Sequence, residues 1–404
     1  MSDGQILITG ANLVLPDTML RGDLLIKDHQ IEQIISEKQG HIETGNNLQV
    51  IKAEGMYLLP GMIDLHSDAI EKEIAPRSQA YFPINSSFYE LEKKVVASGI
   101  TTIYHSISLG GETNIGVRND ATVVEIIENI NRNSSFRSMI NNLVHLRYEV
   151  SNLTGLEIVR KMLKQRKMQL LSFMDHTPGQ GQFAVLGSYE EYMMRNYGFT
   201  EEEVLSIVKK VKSRQKQVDV VTLKKIADLA KQQGITLASH DDDTEDKINV
   251  MRNLGVTVSE FPINLETAQY AKSRGLHVVV GAPNVVRGGS HSNNLKALDA
   301  IKAGVADILC SDYYPPAMSA AVFRLAEEGM DLPSAVRMVS LNPAKALGLD
   351  QQYGSIEVGK QADLVLVELY QGHPFIRKTL VGGKVVYQTE YQQKNVEVSR
   401  LISS

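Results

Sequence analysis

The sequence predicts a (β/α)8 barrel carrying a small β-sandwich built from both ends of the chain. Three features carry that expectation. Between residues 60 and 315, short runs rich in Ile, Leu and Val alternate with helix-length segments, the rhythm of parallel strands and crossover helices. Gly99, Gly234, Gly255, Gly275 and Gly304 punctuate the junctions where a helix gives way to the next strand. Outside this region the chain alternates with a period of two residues and turns on glycines, with no helix-length pattern before residue 57.

Taken in order, residues 5–15 and 22–36 read as strands, with a hairpin turn at Asp28-His29-Gln30, and 50–59 continue in β structure. Barrel strands are expected at 62–67, 100–107, 143–149, 169–175, 235–240, 257–262, 277–282 and 307–311. Helices are expected at 86–98, 151–167, 219–233, 265–274 and 293–303. Two stretches exceed the minimal repeat. Residues 108–142 are expected to hold a loop and an extra helix, and the charged segment 184–218 two helices, either a solvated face or a lid. After a helical 333–347, GSIEVGKQADLVLVE and IRKTLVGGKVVYQ return to strands. The expected division is 1–57 and 346–404 for the sandwich and 58–345 for the barrel.

The 404-residue chain has a net charge of −5, which gives no global basic field for nucleic acid or an anionic membrane. No apolar run approaches the roughly 20 residues of a membrane span, and the N-terminal residues do not read as a secretory leader. Cys310 is the single cysteine, so no intrachain disulfide can form, and a reducing, cytoplasmic setting is expected. A homo-oligomer, a dimer, is the expected assembly. Cys310 itself, on an apolar strand, is expected to point away from any site.

Barrel chemistry gathers at the C-terminal ends of the strands. Those ends carry His66 and Asp68, His105, Arg147 and Glu149, Asp175 and His176, His240 followed by Asp241, Asp242 and Asp243, and Ser311-Asp312. Charged groups gathered in a barrel mouth are costly unless paired or metal-bound, and imidazoles mixed with carboxylates are the donors of a hydrolytic metal centre. One of the three aspartates after His240 is expected to orient an imidazole. Arg147 is expected either to serve phosphate or to pair with a carboxylate.

The segments ILITGANLVLPD, GDLLIKDHQIEQI, PGMIDLHSD and GSIEVGKQADLVLVE resemble the amidohydrolase superfamily. The resemblance extends over the chain. His66-x-Asp68 departs from the superfamily's usual His-x-His. With EKEIAPR, MDHTPGQGQF, SHDDDT, GAPNVVRGGSHS and SDYYP, it is similar to a branch that releases pyrophosphate from a ribose triphosphate during phosphonate degradation. The resemblance implies two divalent metal ions, zinc, manganese or iron. His66, Asp68 and Asp312 would hold one, His176 and His240 the other, with Glu149 bridging and Asp312 accepting a proton from water. It also implies His176 and His240 on strands five and six, whereas the strand count above puts them on four and five. An oxygen donor at Asp68 favours manganese-like ions over strict zinc selectivity. For a small phosphorylated substrate, Lys72, Arg77, Arg287 and His291 are the candidate contacts, with Arg118 a further one. Two other functions fit the scaffold: hydrolysis of an amide or cyclic imide, and a catalytically inactive interaction protein, which would have lost ligand side chains.

Overall fold

The computed structural model describes residues 5–40, 42, 48–77, 79–110, 116–179, 186–289 and 294–391. The first part of the chain forms β1 (Gln5–Val14), β2 (Met19–Lys27), β3 (Gln30–Ser36), β4 (Leu48–Lys52) and β5 (Tyr57–Pro60). The β2–β3 turn places Asp28 and His29 at positive φ, as a tight hairpin requires. The barrel follows as β6 (Met62–Ser67), β7 (Ile100–Leu109), β8 (Asn141–Glu149), β9 (Leu170–Met174), β10 (Thr236–His240), β11 (Val258–Glu260), β12 (His277–Gly281) and β13 (Ile308–Cys310). The chain then returns through β14 (Leu364–Tyr370), β15 (His373–Val381) and β16 (Lys384–Gln388).

β6 to β13 form one parallel sheet in sequence order. Beyond β13 the chain bonds back to β6, with the Asp312 amide donating to the His66 carbonyl at 3.0 Å and the Asp68 amide to the Asp312 carbonyl at 2.5 Å. The barrel therefore closes at the point where His66, Asp68 and Asp312 sit. Asp64, fully buried, adds a tie by accepting the Ser311 amide at 2.9 Å.

The terminal sheet runs β16-β15-β14-β5-β1-β2-β3, with β4 also on β1. β14 pairs antiparallel with β5, so the two ends of the chain share one sheet. Its apolar face gathers Leu13, Leu24, Ile26, Leu58, Leu364 and Leu380 in a cluster separate from the barrel's.

One expectation is corrected. Beyond a single 3-10 turn, Gly116–Arg118, the described residues of 108–142 hold no helix in addition to the crossover. The helix Asp120–Phe136 is the ordinary crossover from β7 to β8, capped by the Asn119 side chain on the Thr122 amide. A short helix, Ala69–Ile74, instead follows β6. The 184–218 segment does form two helices, Leu186–Tyr197 and Glu201–Gln215. They pack on each other through Tyr189, Met193, Phe199 and Val204. No helix among the described residues is long and apolar enough to cross a membrane.

Candidate metal centre

Inside the barrel, the strand period of two sorts apolar from polar. Leu143, Leu170, Ala238, Val258, Val279 and Ile308 belong to one inner apolar cluster. Two residues further along the same strands come His145, Ser172, His240, Glu260, Gly281 and Cys310. A polar layer thus sits on an apolar floor. Cys310, fully buried, lies on β13 two residues after Ile308 of the inner cluster. It does not point away from the site, because residues two apart on a strand share a face. Burial and the surrounding carboxylates raise its thiol well above the ordinary range, so it is inert as a nucleophile.

Three imidazoles converge above the floor. The rings of His66 and His240 have centroids 5.4 Å apart, and those of His176 and His240 5.8 Å. Each turns Nδ1 to a carboxylate: His66 to Glu260 at 2.9 Å, His176 to Glu149 at 2.9 Å, and His240 to Asp241 at 3.2 Å. A carboxylate on one ring nitrogen fixes the tautomer and leaves the other free to bind a cation. On the far side, His66 Nε2 lies 3.8 Å from Asp68 Oδ1, and His176 Nε2 lies 3.4 Å from Asp241 Oδ2.

Burial and charge set the protonation. Desolvation lowers the buried His66 imidazole, but the Glu260 charge and hydrogen bond more than offset this and raise it. Desolvation, helped by the charges of Arg147 and His66 and only partly opposed by Asp241, lowers His240 to about 4. His176 is clasped by Asp241 and Glu149, which overcome its burial and lift it to about 9. Burial works against the Glu260 carboxylate, yet His145 and His66 hold it well below its ordinary range.

The donor set fits a metal. Ligand atoms of His66, His240 and Glu260 lie within 4.8 Å of one another, and so do those of His176, His240 and Asp241. Asp241 Oδ2 is buried 3.4 Å from His176 Nε2 without a hydrogen-bond partner of good geometry, as expected of a group arranged for a cation.

The backbone helps aim these side chains. Asp241, Phe261 and Asp312 each follow a barrel strand and adopt positive φ, at 51°, 54° and 57°. Backbone in this region is strained for a residue with a side chain, and such strain gathers at functional sites. Here it turns the chain sharply at the barrel mouth.

His66, Asp68, Glu149, His176, His240 and Asp312 are all at the same end of the barrel, on β6, β8, β9, β10 and β13 or just beyond them. His176 and His240 follow the fourth and fifth barrel strands, as the strand count gives. Glu149 spends Oε2 on His176 and keeps Oε1 on hydrogen bonds of 3.3 Å from Ser151 and the His176 amide. Arg147 pairs with a carboxylate, that of Asp68 at 2.9 Å. Of the proposed anion contacts, Lys72 is exposed on the short helix after β6, Arg77 is exposed a few residues on, and Arg287 donates to the Tyr313 hydroxyl at 3.3 Å. His291 lies outside the described residues. Arg118 bonds Glu71 at 2.8 Å and stands 3.7 Å from Asp68. His105 is buried against Asn142 at 2.9 Å and serves packing.

Glu260 and Asp64 are absent from the sequence-derived set. Glu260 had a signal, an acid inside the apolar run TVSEFP at the end of a predicted strand. Asp64 had none beyond its two-residue spacing from His66.

Compared with known proteins, the sequence pattern of the amidohydrolase family matches residues 57–402. The chain is 34% identical over 387 residues to the α-D-ribose 1-methylphosphonate 5-triphosphate diphosphatase of Escherichia coli strain K12, covering 95% of this chain and all of that one. Among solved structures, molinate hydrolase superposes with a TM-score of 0.63 at 15% identity, covering 95% of each chain. D-hydantoinase superposes at 0.60 and 16%, again over 95% of each. The pattern match and the end-to-end likeness agree with the barrel and its ring of imidazoles, and the chain belongs to the amidohydrolase family.

Proposed function

We propose that this protein is a metal-dependent hydrolase that cleaves α-D-ribose 1-methylphosphonate 5-triphosphate to the 5-phosphate and pyrophosphate. The observation that carries the substrate is the likeness to the Escherichia coli diphosphatase over the whole of both chains. The convergence of His66, His176 and His240, each backed by a carboxylate, supports the metal-dependent chemistry.

The proposed ligands are His66, Asp68, Glu149, His176, His240 and Asp312, for two divalent ions. Such ions would supply Lewis acidity toward a phosphoryl oxygen and acidify a water at neutral pH. Glu260 and Asp241 hold His66 and His240 in orientation, while Asp312 accepts the proton of the attacking water. Lys72, Arg77 and Arg287, with Arg118, are the proposed cations for the phosphate chain, and His291 is proposed with them. Guanidinium groups suit that role because they can bind phosphate oxygens in pairs.

The deciding assay is incubation of the metal-loaded protein with the ribose methylphosphonate triphosphate. Pyrophosphate should appear with the ribose 5-phosphate product. Release of orthophosphate alone, or no turnover beside hydrolysis of a cyclic imide, sinks this reading in favour of another family chemistry.

A further inference from the structure

Arg147 occupies an unusual place. It projects from β8 into the polar layer and is only 6% exposed. Its Nη1 donates to Asp68 Oδ1 at 2.9 Å, and its Nη2 donates to His240 Nε2 at 3.0 Å. These acceptors are a carboxylate oxygen of Asp68 and, on His240, the ring nitrogen turned away from Asp241. His66 Nε2 stands 3.8 Å from the same Asp68 oxygen. The guanidinium therefore spans a ligand of each proposed site, Asp68 of the first and His240 of the second, at the atoms that would face the ions.

The fit of Arg147 in this place is incomplete. A guanidinium has five N–H donors and needs most of them satisfied when buried. Arg147 Nε is buried with no hydrogen-bond partner. An imidazole nitrogen is also a weaker partner for an arginine than a second carboxylate, because it adds no charge. A side chain built only to brace the barrel would be better satisfied.

We infer that Arg147 is a stand-in cation that competes with a divalent metal for Asp68 and His240, and that it must give up both bonds for the centre to load. The inference rests on the metal reading proposed above. Without a metal, Arg147 offsets the charge of the half-buried Asp68 together with Arg118 and keeps His240 Nε2 aimed at the centre. A metal then enters a set of ligands already held close to its final geometry.

The test is equilibrium binding of manganese(II) to metal-free protein, with free ion followed by electron paramagnetic resonance. Arg147→Met, which removes the competitor and keeps an unbranched side chain, should bind about tenfold more tightly or better, within the usual range of coupling between two exclusive ligands. Arg147→Lys, which cannot span both acceptors, should fall between Arg147→Met and the wild type. A purely structural arginine predicts the opposite sign, since its loss would loosen the ligands; equal or weaker binding by Arg147→Met overturns the inference. A crystal structure of the manganese-loaded wild type supplies an independent arm that needs no variant. Arg147 should no longer bond Asp68, and its persistence on Asp68 with metal bound overturns the inference while leaving the metal reading intact. Wild-type protein that binds no manganese, zinc or iron overturns both.

Discussion

At the scale of single residues, the centre depends on groups that touch no substrate. Glu260 is fully buried and shared among His66 at 2.9 Å, Ser172 at 2.5 Å and His145 at 3.8 Å. Glu260→Gln keeps the shape and removes the charge that holds His66. Metal affinity should fall about 10- to 100-fold, the usual cost of losing such a partner, as read by chelator competition. Asp363 offers a test outside the centre. Its carboxyl is 7% exposed, accepts the Gly382 amide at 2.7 Å, and is raised by burial to about 6. The folded state thus binds this proton more tightly than the unfolded state, whose carboxyl has the ordinary value of 3.8. The resulting stability is complete below the unfolded value and lost as pH rises through the folded one. Asp363→Asn should therefore raise the melting temperature at pH 8, by the equivalent of about 1–3 kcal/mol. The gain should vanish near pH 4, and a pH-independent difference would count against it. Much of the centre was legible in the sequence because strand ends are visible as breaks in apolar runs. Arg147's bonds to Asp68 and His240 were not, since they join residues 79 and 93 positions apart.

At the scale of elements, the barrel strands were readable because parallel strands buried on both faces appear as short continuous apolar runs. β6, β10 and β12 begin and end within one residue of expectation. The region 108–142 misled because its loop and crossover helix together exceed an ordinary connection, which looks like an insertion when no packing is seen. The helix pair 186–215 is a true addition. Its small core of Tyr189, Met193, Val204, Ile207 and Val208 is separate from the barrel's large cluster. Gln215 at its end reaches Asp175, next to His176, at 3.3 Å. Val204→Asp would bury a carboxylate in that small core at a cost of several kcal/mol. Limited proteolysis should then cut within 186–215 while the main unfolding transition stays in place, as expected of a locally opening unit. Loss of the whole fold would show instead that the pair is integral to the barrel.

At the scale of the whole molecule, barrel closure and the centre are one event, since β13 returns to β6 through Asp312, His66 and Asp68. Metal removal should accordingly be felt as global stability. At a free ion concentration near a hundred times the dissociation constant, binding stabilises the folded state by about 2.7 kcal/mol. A chelator should lower the melting temperature by several degrees, reversibly on adding manganese, and an unchanged transition would separate closure from the centre. The shared terminal sheet has a further consequence, one that concerns synthesis. β5 bonds β1 on one side and β14 on the other, with Pro60 opposite Leu364. At roughly 5–20 residues per second, the ribosome needs about 15–60 s to make the intervening chain. Until then the nascent sheet presents β5 as a bare edge, with Leu58 and Leu59 beside unpaired backbone groups. A chain ending between β13 and β14 would keep every barrel strand end yet carry a permanently sticky flank.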